Sequence, residues 1–571
     1  MKKEVLTALL IGAPFTAMFA QTPFDAYSIG RNDLRGTARF MSMGGAFTAL
    51  GGDLSTLNQN PGGIGVYRSS EVGGTLDINI QSANTQVGSY SNKINQTKVA
   101  CNNIGYIGAI PLSSETMPYF SWGFSYGRAI SFDRHYGGSL GSLGSSLTNY
   151  VADFTAFEAA NGASDYAPNG LISTTPNYNP YLDSGASWMS ILMYNSYGIN
   201  VPSMNSTAYQ GLWDYNSTIG TGWFETQEKG YVDEYAIDFG GNIMNTVYWG
   251  IGFGITDIDF KSNTLYGEIL DNARVTGCDA AGNPIGYANG SADVTLENIK
   301  HIYGNGFNFK AGVIVKPVNE FRIGLAVHTP TYYNLSYEGW GRMYYDYNST
   351  SYPGGKGLSG QKDTDYGYSD YFDWKMRTPW RLMVGAAGVI GGRGILSVDY
   401  EYRPAQSMMV KNADGYELNA VNDDIKTYYK ASNIIRVGGE FRVTPQFSLR
   451  AGYVYESSPV TEEGLYGSTN NGGAEVPVVY YTSGPDDTET QPSVTMDKST
   501  QYVSFGLGYK YKNFYADAAF VHRYNRSRYQ AYTNYTENIP GEDGNVYDVW
   551  APSAKIIQNN NSIVLSIGLK F

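Results

Sequence analysis

Bulky apolar residues alternate with small or polar residues along many short stretches of the chain. In the stretch 120–127, Ser or Gly separates four large aromatic side chains: Phe120, Trp122, Phe124 and Tyr126. The same alternation recurs in four further stretches: 321–328, 447–455, 503–509 and 563–571. A period of two residues predicts β-strands with one apolar face and one small or polar face.

The connections between these strands alternate strictly between short and long. Short turns are predicted at 117–118, 242–245, 316–320, 391–394, 443–446 and 510–513. Long polar connections are predicted at 82–97, 132–229, 261–299, 342–365, 404–430, 457–499 and 524–560. An antiparallel membrane barrel with tight periplasmic turns and long external loops has this arrangement, whereas a soluble sandwich follows no such rule.

The sequence therefore predicts an all-β fold, a transmembrane antiparallel β-barrel of about 14 strands with its apolar face toward lipid. This count takes residues 374–390 as one strand despite Pro379. The final strand ends on Phe571, which resembles the C-terminal signal of outer-membrane barrels. The expected location is the bacterial outer membrane.

The first residues have the pattern of a secretory signal peptide. Lys2 and Lys3 precede an apolar stretch, and Ala20 offers a small residue before the expected cut. We predict a signal peptide at 1–20, an N-terminal segment at 21–70, and a barrel at 71–571 whose largest loop is 132–229.

The composition narrows the classes of partner. The chain has 571 residues, a formal net charge of −13 and only 16% charged residues. Nucleic acid is disfavoured as a partner, because neutralising phosphates requires a basic face. The 50 Tyr residues suit a surface that is partly apolar and partly wet, as at a membrane interface.

The N-terminal segment, 21–70, lacks the two-residue alternation. It is rich in Ala, Gly, Met and Leu, which favours a compact element packed in a tight space. A barrel of about 14 strands has a lumen wide enough to be filled, so we predict that this segment is a plug, or hatch, inside it. The turn at Asn60, Pro61 and Gly62 would end the hatch, with glycines allowing close backbone approach. An ordinary loop turn is the alternative.

These motifs resemble the FadL/TodX family of outer-membrane transporters for hydrophobic compounds. The hatch of that family has counterparts here in Ala38-Arg39, Gly44-Gly45-Ala46, Asp53 and Asn60-Pro61, with Gly62 in place of the usual Ala. Residues 447–460 also resemble a late strand of the family that ends in Ser-Pro-Val. By this resemblance, five residues are expected to shape the hatch: Arg39, Asp53, Asn60, Pro61 and Gly62.

The resemblance implies passive transport of hydrophobic small molecules, such as long-chain fatty acids. The ligand would dock among external loops, move to a lumen pocket and leave through a gap in the wall when the hatch shifts. The expected partners are this ligand and the lipid or lipopolysaccharide of the outer membrane. The alternative is a barrel of the same type that serves as a partner in protein secretion or surface attachment, with a protein partner.

Candidate ligand contacts lie in the longest loop and on the inward phase of the strands. An apolar face is predicted from Trp188, Met189, Ile191, Leu192 and Met193, with a small loop core as the alternative reading. Phe24 is a further candidate contact. Arg322 and Arg450 would either meet a ligand carboxylate or pair with carboxylates of the wall, as would Arg128 and Lys510.

The sequence indicates no enzyme, metal site or cofactor. The four histidines, His135, His301, His328 and His522, are widely separated, and no nucleophile elbow is present. His328 is interpreted as a polar residue of the lumen wall. Cys101 and Cys278 would form either one disulfide or two buried thiols.

Overall fold

A computed structural model describes residues 22–173, 175–203, 206–278, 284–350, 352, 357–461, 488–537 and 544–571. The predicted signal peptide, 1–20, lies outside these described residues. The described chain forms a closed antiparallel barrel of 14 strands, which confirms the predicted fold class. Each strand pairs with its neighbour along the chain, and the last strand pairs with the first.

The barrel strands are β1 (Glu71–Val87), β2 (Tyr90–Pro111), β3 (Tyr119–Ser131, continued by Arg134–Ser142), β4 (Ile219–Ile243), β5 (Val247–Cys278), β6 (Pro284–Val318), β7 (Phe321–His328, continued by Tyr332–Asn348), β8 (Asp370–Arg377, continued by Arg381–Ile390), β9 (Gly394–Pro404), β10 (Ala431–Arg442), β11 (Phe447–Glu456), β12 (Val494–Tyr511), β13 (Phe514–Gln530) and β14 (Ser553–Lys570). Two shorter strands extend the sheet at its edge: Leu358–Asp363 beside β7, and Met409–Asn412 beside β8.

The apolar side of each alternating strand faces outward. Leu325, Leu507 and Ile567 are 51%, 60% and 61% exposed, whereas the inward residues Ser125 and Ser504 are buried. An outward apolar band on a closed barrel is stable against lipid tails, because every strand edge is paired and the band avoids water. The chain is therefore a transmembrane barrel of the bacterial outer membrane.

The strands run further into the predicted long connections than the sequence indicates. The predicted connection 82–97 is a hairpin with a turn at residues 88–89, and the largest loop is 143–218 rather than 132–229. In β5 the outward residues Asp257, Asp259, Lys261 and Asn263 are polar. The alternation that marks a membrane strand therefore ends, while the hydrogen-bonded ladder continues beyond the membrane.

Helices lie in three parts of the described chain. The N-terminal segment has α1 (Pro23–Gly30), α2 (Ala38–Ser42) and two 3-10 turns, Leu54–Asn58 and Pro61–Val66. The loop 143–218 has α3 (Leu147–Ala160), α4 (Pro180–Asp183) and α5 (Trp188–Asn195), and α6 (Asn419–Tyr428) precedes β10. Among the described residues, none of the helices has the length and hydropathy that a membrane-spanning helix requires.

Two neighbouring strands are interrupted side by side at prolines. The predicted single strand 374–390 is divided at residues 378–380, and β7 is divided at residues 329–331. Thr378 N–H donates to the carbonyl of Thr331 over 3.1 Å, and Thr331 N–H donates to Thr378 Oγ1 over 2.8 Å. Because proline has no N–H for the ladder, Pro330 and Pro379 account for both interruptions.

Candidate functional site

The N-terminal segment, residues 22–70, lies against a ring of inward-facing glycines. At each of these positions an added Cβ would meet an atom of the segment within 3.3 Å. The ring consists of Gly73, Gly105, Gly123, Gly240, Gly250, Gly312, Gly324, Gly385, Gly438, Gly452 and Gly506, on eleven of the strands. Glycine permits this contact because no side chain separates the wall backbone from the segment.

Polar groups of the segment also find partners on the wall. Thr48 N–H donates to Asp399 Oδ2 over 2.8 Å, and Ala38 N–H donates to Ser566 Oγ over 2.7 Å. Arg322, a candidate ligand contact, instead donates to the carbonyl of Leu50 over 2.9 Å. Buried backbone groups need such partners, so these bonds fix the segment against particular strands.

Two of the expected hatch residues organise the segment through charge. Arg39 Nε lies 2.9 Å from Glu440 Oε2 on β10, and its guanidinium also donates to the carbonyl of Gly52. Asp53 caps the turn Leu54–Asn58 by accepting from Ser55 N–H over 3.0 Å. Its Oδ1 also accepts from the Thr37 hydroxyl, which links two parts of the segment.

The turn at Asn60 connects the segment to β6. Asn60 Oδ1 accepts from Gly62 N–H over 2.9 Å, and its Nδ2 donates to the carbonyl of Thr48 over 2.6 Å. Pro61 begins the turn Pro61–Val66. A Cβ on Gly62 would lie 2.9 Å from backbone atoms of Gly312. The close approach of the two backbones therefore leaves no room for a side chain at Gly62.

The ladder between β2 and β3 stops partway along both strands. It runs from the pair Pro111 and Tyr119 to the pair Asn103 and Gly127. Beyond this point, β2 residues 90–102 pair only with β1, and β3 residues 128–142 pair only with β4, within the described chain. We call these two edges, residues 90–102 and 128–142, the ladder break.

The N-terminal segment bridges the ladder break through two residues. Asp33 N–H donates to the carbonyl of Ala129 over 3.0 Å, and Asp33 Oδ2 accepts from Ser131 N–H over 3.2 Å. Arg35 Nη1 donates to Asn102 Oδ1 on β2 over 2.9 Å. The segment thereby supplies polar contacts to both edges next to the point where the ladder ends. Farther along, the two edges contact each other directly, since Asn92 Nδ2 donates to the carbonyl of Gly137 over 2.8 Å and Lys98 Nζ lies 3.4 Å from Asp133. We call Asp33 and Arg35 the bridge residues.

A small polar cavity lies directly inside the ladder break. Its volume is about 90 Å³, and its lining includes Asn102, Gly127 and Ala129 from the two edges. Residues 32–36 of the segment form another side. The cavity is well below the size of a ligand pocket, which is roughly 300–1,000 Å³.

Three arginines on neighbouring strands share one buried carboxylate at the far side of this cavity. Glu401 is fully buried and pairs with Arg381 over 2.7 Å, Arg403 over 2.9 Å and Arg436 over 2.6 Å. Glu456 is a second partner of Arg403, at 3.5 Å. Among the described residues, none is a hydrogen-bond partner of Arg436 Nη1 or Arg403 Nε. Buried guanidinium donors without acceptors favour an anionic ligand.

An apolar cluster surrounds α1 in the lumen above the cavity. Phe24, a candidate ligand contact, stacks on Tyr428 with ring centroids 6.3 Å apart, and Tyr27 stacks on Tyr429 at 5.0 Å. Asp25 Oδ1 lies 2.6 Å from Lys300 Nζ on β6. Thus α1 is held by both apolar packing and a buried ion pair.

The candidate loop contacts are buried in a second apolar cluster, at the long-loop end of the barrel. Its members include α5 residues that are at most 5% exposed: Trp188, Met189, Ile191, Leu192 and Met193. They pack with α3 and with inward residues of several strands, such as Phe224 and Tyr266. In this conformation they form the core of a cap, in line with the alternative reading of these residues.

The remaining candidates pair with the protein itself. Arg450 lies between Glu440, at 2.7 Å, and Asp517, at 2.6 Å. Buried His328 bonds to the carbonyl of Gln59 over 2.7 Å. Cys101 is half-buried and free. The side chain of Cys278 lies outside what is described.

Sequence reasoning did not single out Asp33, Arg35 or the arginines around Glu401. The cluster of charges at residues 31–39, inside an otherwise apolar segment, is the signal that would have drawn attention to Asp33 and Arg35. The two-residue period of the strands is enough to place Arg381, Arg403 and Arg436 on the inward face. Their convergence depends on which strands are neighbours, and that requires the structure.

Comparison with solved structures shows similarity in fold to outer-membrane transporters and channels. A FadL homologue of Pseudomonas aeruginosa is 12% identical, with 95% of this chain and 100% of that chain covered and a TM-score of 0.46. The toluene transporter TodX of P. putida is 12% identical, with 94% and 99% covered and a TM-score of 0.44. The toluene transporter TbuX of Ralstonia pickettii is 13% identical, with 94% and 99% covered and a TM-score of 0.42. No family model and no curated protein matches the chain.

Proposed function

We propose that this barrel transports hydrophobic small molecules passively across the outer membrane and releases them sideways at the ladder break. Residues 22–70 act as the hatch that controls this route. The ligand is an amphiphile with an anionic head, such as a long-chain fatty acid. An apolar path through the protein lowers the free-energy barrier that a polar surface layer presents to such a molecule.

The observation that carries this proposal is the bridge across the ladder break. A ladder edge normally needs a partner strand, yet here Asp33 and Arg35 of a non-strand segment bond to the two edges where the ladder ends. Farther along, the edges are joined by side-chain contacts instead of a ladder, from Asn92 to Gly137 and from Lys98 to Asp133. Contacts of this kind can separate without unfolding a strand, because only a few hydrogen bonds are exchanged. A shift of residues 32–36 would open the wall between β2 and β3.

The size of the cavity supports a hatch that moves. At about 90 Å³, the space inside the ladder break is too small for a long-chain amphiphile. Residues 32–36 line it directly. Their displacement would join the cavity to the membrane on one side and enlarge it on the other.

The charge of the cavity supports an anionic head group. Three guanidinium groups share Glu401, and two of their donor nitrogens lack a protein partner. A carboxylate near Arg436 would complete these hydrogen bonds, and charge-assisted bonds of this type are about twice as strong as neutral ones. A purely apolar ligand would leave the donors unsatisfied.

The test is a transport assay with the bridge residues removed. Purified protein is reconstituted in liposomes, and uptake of a fluorescent long-chain fatty acid is followed for the wild type and for Asp33→Ala with Arg35→Ala. The double variant is expected to change the saturable uptake rate several-fold, with an increase if opening limits the rate. The matched control is Arg68→Ala, because Arg68 lies in the same segment, is exposed, and bonds to Asn245 rather than to either edge of the ladder break.

An equal uptake rate for the wild type and the double variant would contradict hatch control at the ladder break. An uptake rate that matches empty liposomes in every sample would contradict transport itself. Heat-modifiable migration in gels confirms that each variant retains the folded barrel, so that a loss of uptake is not mistaken for misfolding.

A further inference from the structure

A water-accessible vestibule opens at the short-turn end of the barrel, between the N-terminal segment and strands β10–β14. Its volume is about 600 Å³. Six of its lining residues are cationic and four are acidic. This excess of positive charge is notable in a chain whose formal net charge is −13.

The deeper cations of the vestibule are neutralised by its acidic residues. Arg450 lies between Glu440 and Asp517, and Arg39 shares Glu440 at 2.9 Å. Lys570 lies 2.8 Å from Glu71. The fourth acidic residue, Asp53, accepts hydrogen bonds within the N-terminal segment and caps a turn there.

The outer cations have no such partner. In the described part of the chain, no carboxylate forms an ion pair with Arg442, Lys510 or Lys512. All three line the vestibule. Since the nearby carboxylates already serve the deeper cations, the positive charge of this outer group is uncompensated.

Strand register brings two of these cations to one place. Arg442 on β10 is opposite Ser448 on β11, and Ser448 is opposite Gly508 on β12. Lys510 is the next residue of β12 with the same inward phase. Two strand spacings separate the backbones, roughly 10 Å. Two long side chains can therefore converge on one small anion, with the Ser448 hydroxyl as a further donor.

We propose that this vestibule is a binding site for an anionic group of the phosphate or carboxylate class. Arg442 provides a planar fork that suits oxyanions, and Lys510 and Lys512 add point charges at the rim. The short turns are periplasmic, so the anion is either a soluble periplasmic ion or the head group of an anionic lipid in the adjacent leaflet. The site is separate from the ladder break and does not depend on transport.

The test uses inorganic phosphate as the probe, with the full-length mature barrel in a neutral detergent. Calorimetric titration compares the wild type with Arg442→Gln combined with Lys510→Gln. The control combines Lys316→Gln with Arg393→Gln, because those cations lie at the same end but outside the vestibule. Binding to the wild type and the control is expected to be saturable, and the vestibule variant should bind about tenfold more weakly.

Equal phosphate affinity in the vestibule variant and the wild type, or the absence of saturable binding to the wild type, would overturn the proposal. Thermal unfolding of each variant confirms that the barrel is intact. A second arm repeats the titration in nanodiscs of phosphatidylcholine with or without phosphatidylglycerol. Weaker phosphate binding with phosphatidylglycerol identifies the lipid head group as the occupant, and unchanged binding identifies a soluble anion.

Discussion

Single glycines determine how closely the N-terminal segment approaches the wall. Gly250 faces the carbonyl of Pro61, and Gly312 faces the side chain of Asn60. The sequence showed that glycines occupy the inward phase of many strands. It did not show that they share one height in the barrel, because that depends on the stagger of all strands.

Gly250→Val should loosen the hatch without breaking the barrel. The new side chain would meet backbone atoms of Pro61 and Gly62, which cannot move aside as a side chain can. Overpacking of this kind costs about 1–3 kcal/mol. Proteolysis within residues 22–70 should be faster than in the wild type. Gly439→Val is the control, because its Cβ would meet only the carbonyl of Ile395 at 3.6 Å; equal cleavage of both variants would contradict the close approach.

Arg436→Gln should weaken the binding of an amphiphile with a carboxylate head group more than the binding of one with a hydroxyl head group. The substitution removes one of three guanidinium groups near Glu401 and an unpartnered donor. Affinity for a long-chain fatty acid should fall about tenfold, since hydrogen bonds to charged groups contribute about 1.5–3 kcal/mol. Affinity for the corresponding alcohol should change little. Fluorescence displacement measures both, with the exposed Arg526→Gln as control, and equal losses for acid and alcohol would exclude a carboxylate site.

At the scale of strands, the period of two residues identified the membrane-crossing parts because lipid requires an apolar outer face. The same reasoning ended several strands too early, as at the connection predicted at 261–299, where β5 and β6 continue as a paired ladder. The predicted ends at residues 404, 430 and 457 agree with the structure. The ladder break was not predictable, since residues 90–102 and 128–142 show nothing that forbids pairing. Asp33 and Arg35, which bond to the two edges where the ladder ends, are distant from them in sequence.

The contact between α1 and the segment before β12 should weaken as pH rises. Glu489 is buried near Lys300 and Asp25, and burial raises its pKa from 4.5 to about 7. Between these two values the folded protein binds more protons than the unfolded chain, so stability falls as pH increases through this window. After correction for the intrinsic rise of amide exchange rates with pH, the protection of residues 488–493 against hydrogen exchange should be lower above pH 7 than near pH 4.5.

Glu489→Gln should flatten this pH dependence, because the amide has no proton to lose. Thr490, which donates to Asn298 over 2.6 Å, stays in place as a local reference. If the corrected protection of the Gln variant still fell over the same window, another group would be responsible.

Glu268→Ala should loosen the attachment of α3, the first helix of the cap, to the barrel wall. Glu268 accepts from Ser146 Oγ and from Leu147 N–H at the start of α3, and from Tyr266 on its own strand. Its loss leaves buried donors unsatisfied, at a cost of about 1–3 kcal/mol each. Protease cleavage within 143–218 should accelerate. The control is Glu158→Ala on α3, because Glu158 has no described side-chain partner, and this variant should be cleaved as fast as the wild type. If Glu268→Ala were also cleaved only as fast as the wild type, this anchoring role would be contradicted.

Over the described part of the molecule, the lumen is filled at the long-loop end and at the level of the N-terminal segment, and the ladder between β2 and β3 stops partway. The cap around α5 fills the long-loop end, and the N-terminal segment meets the glycine ring below it. In the proposed route, the ladder break opens toward the membrane, and a molecule that enters the lumen leaves through the side by displacement of Asp33 and Arg35.

The central claim is tested most directly by mapping where an amphiphile contacts the protein. A photoreactive long-chain fatty acid is bound to the purified barrel, crosslinked with and without excess unlabelled acid, and located by mass spectrometry. Labelling that the unlabelled acid suppresses should concentrate on residues 90–102, residues 128–142 and the cavity lining near Arg436. Suppressible labelling confined to other parts of the barrel, with none at the ladder break, would contradict lateral release at this site.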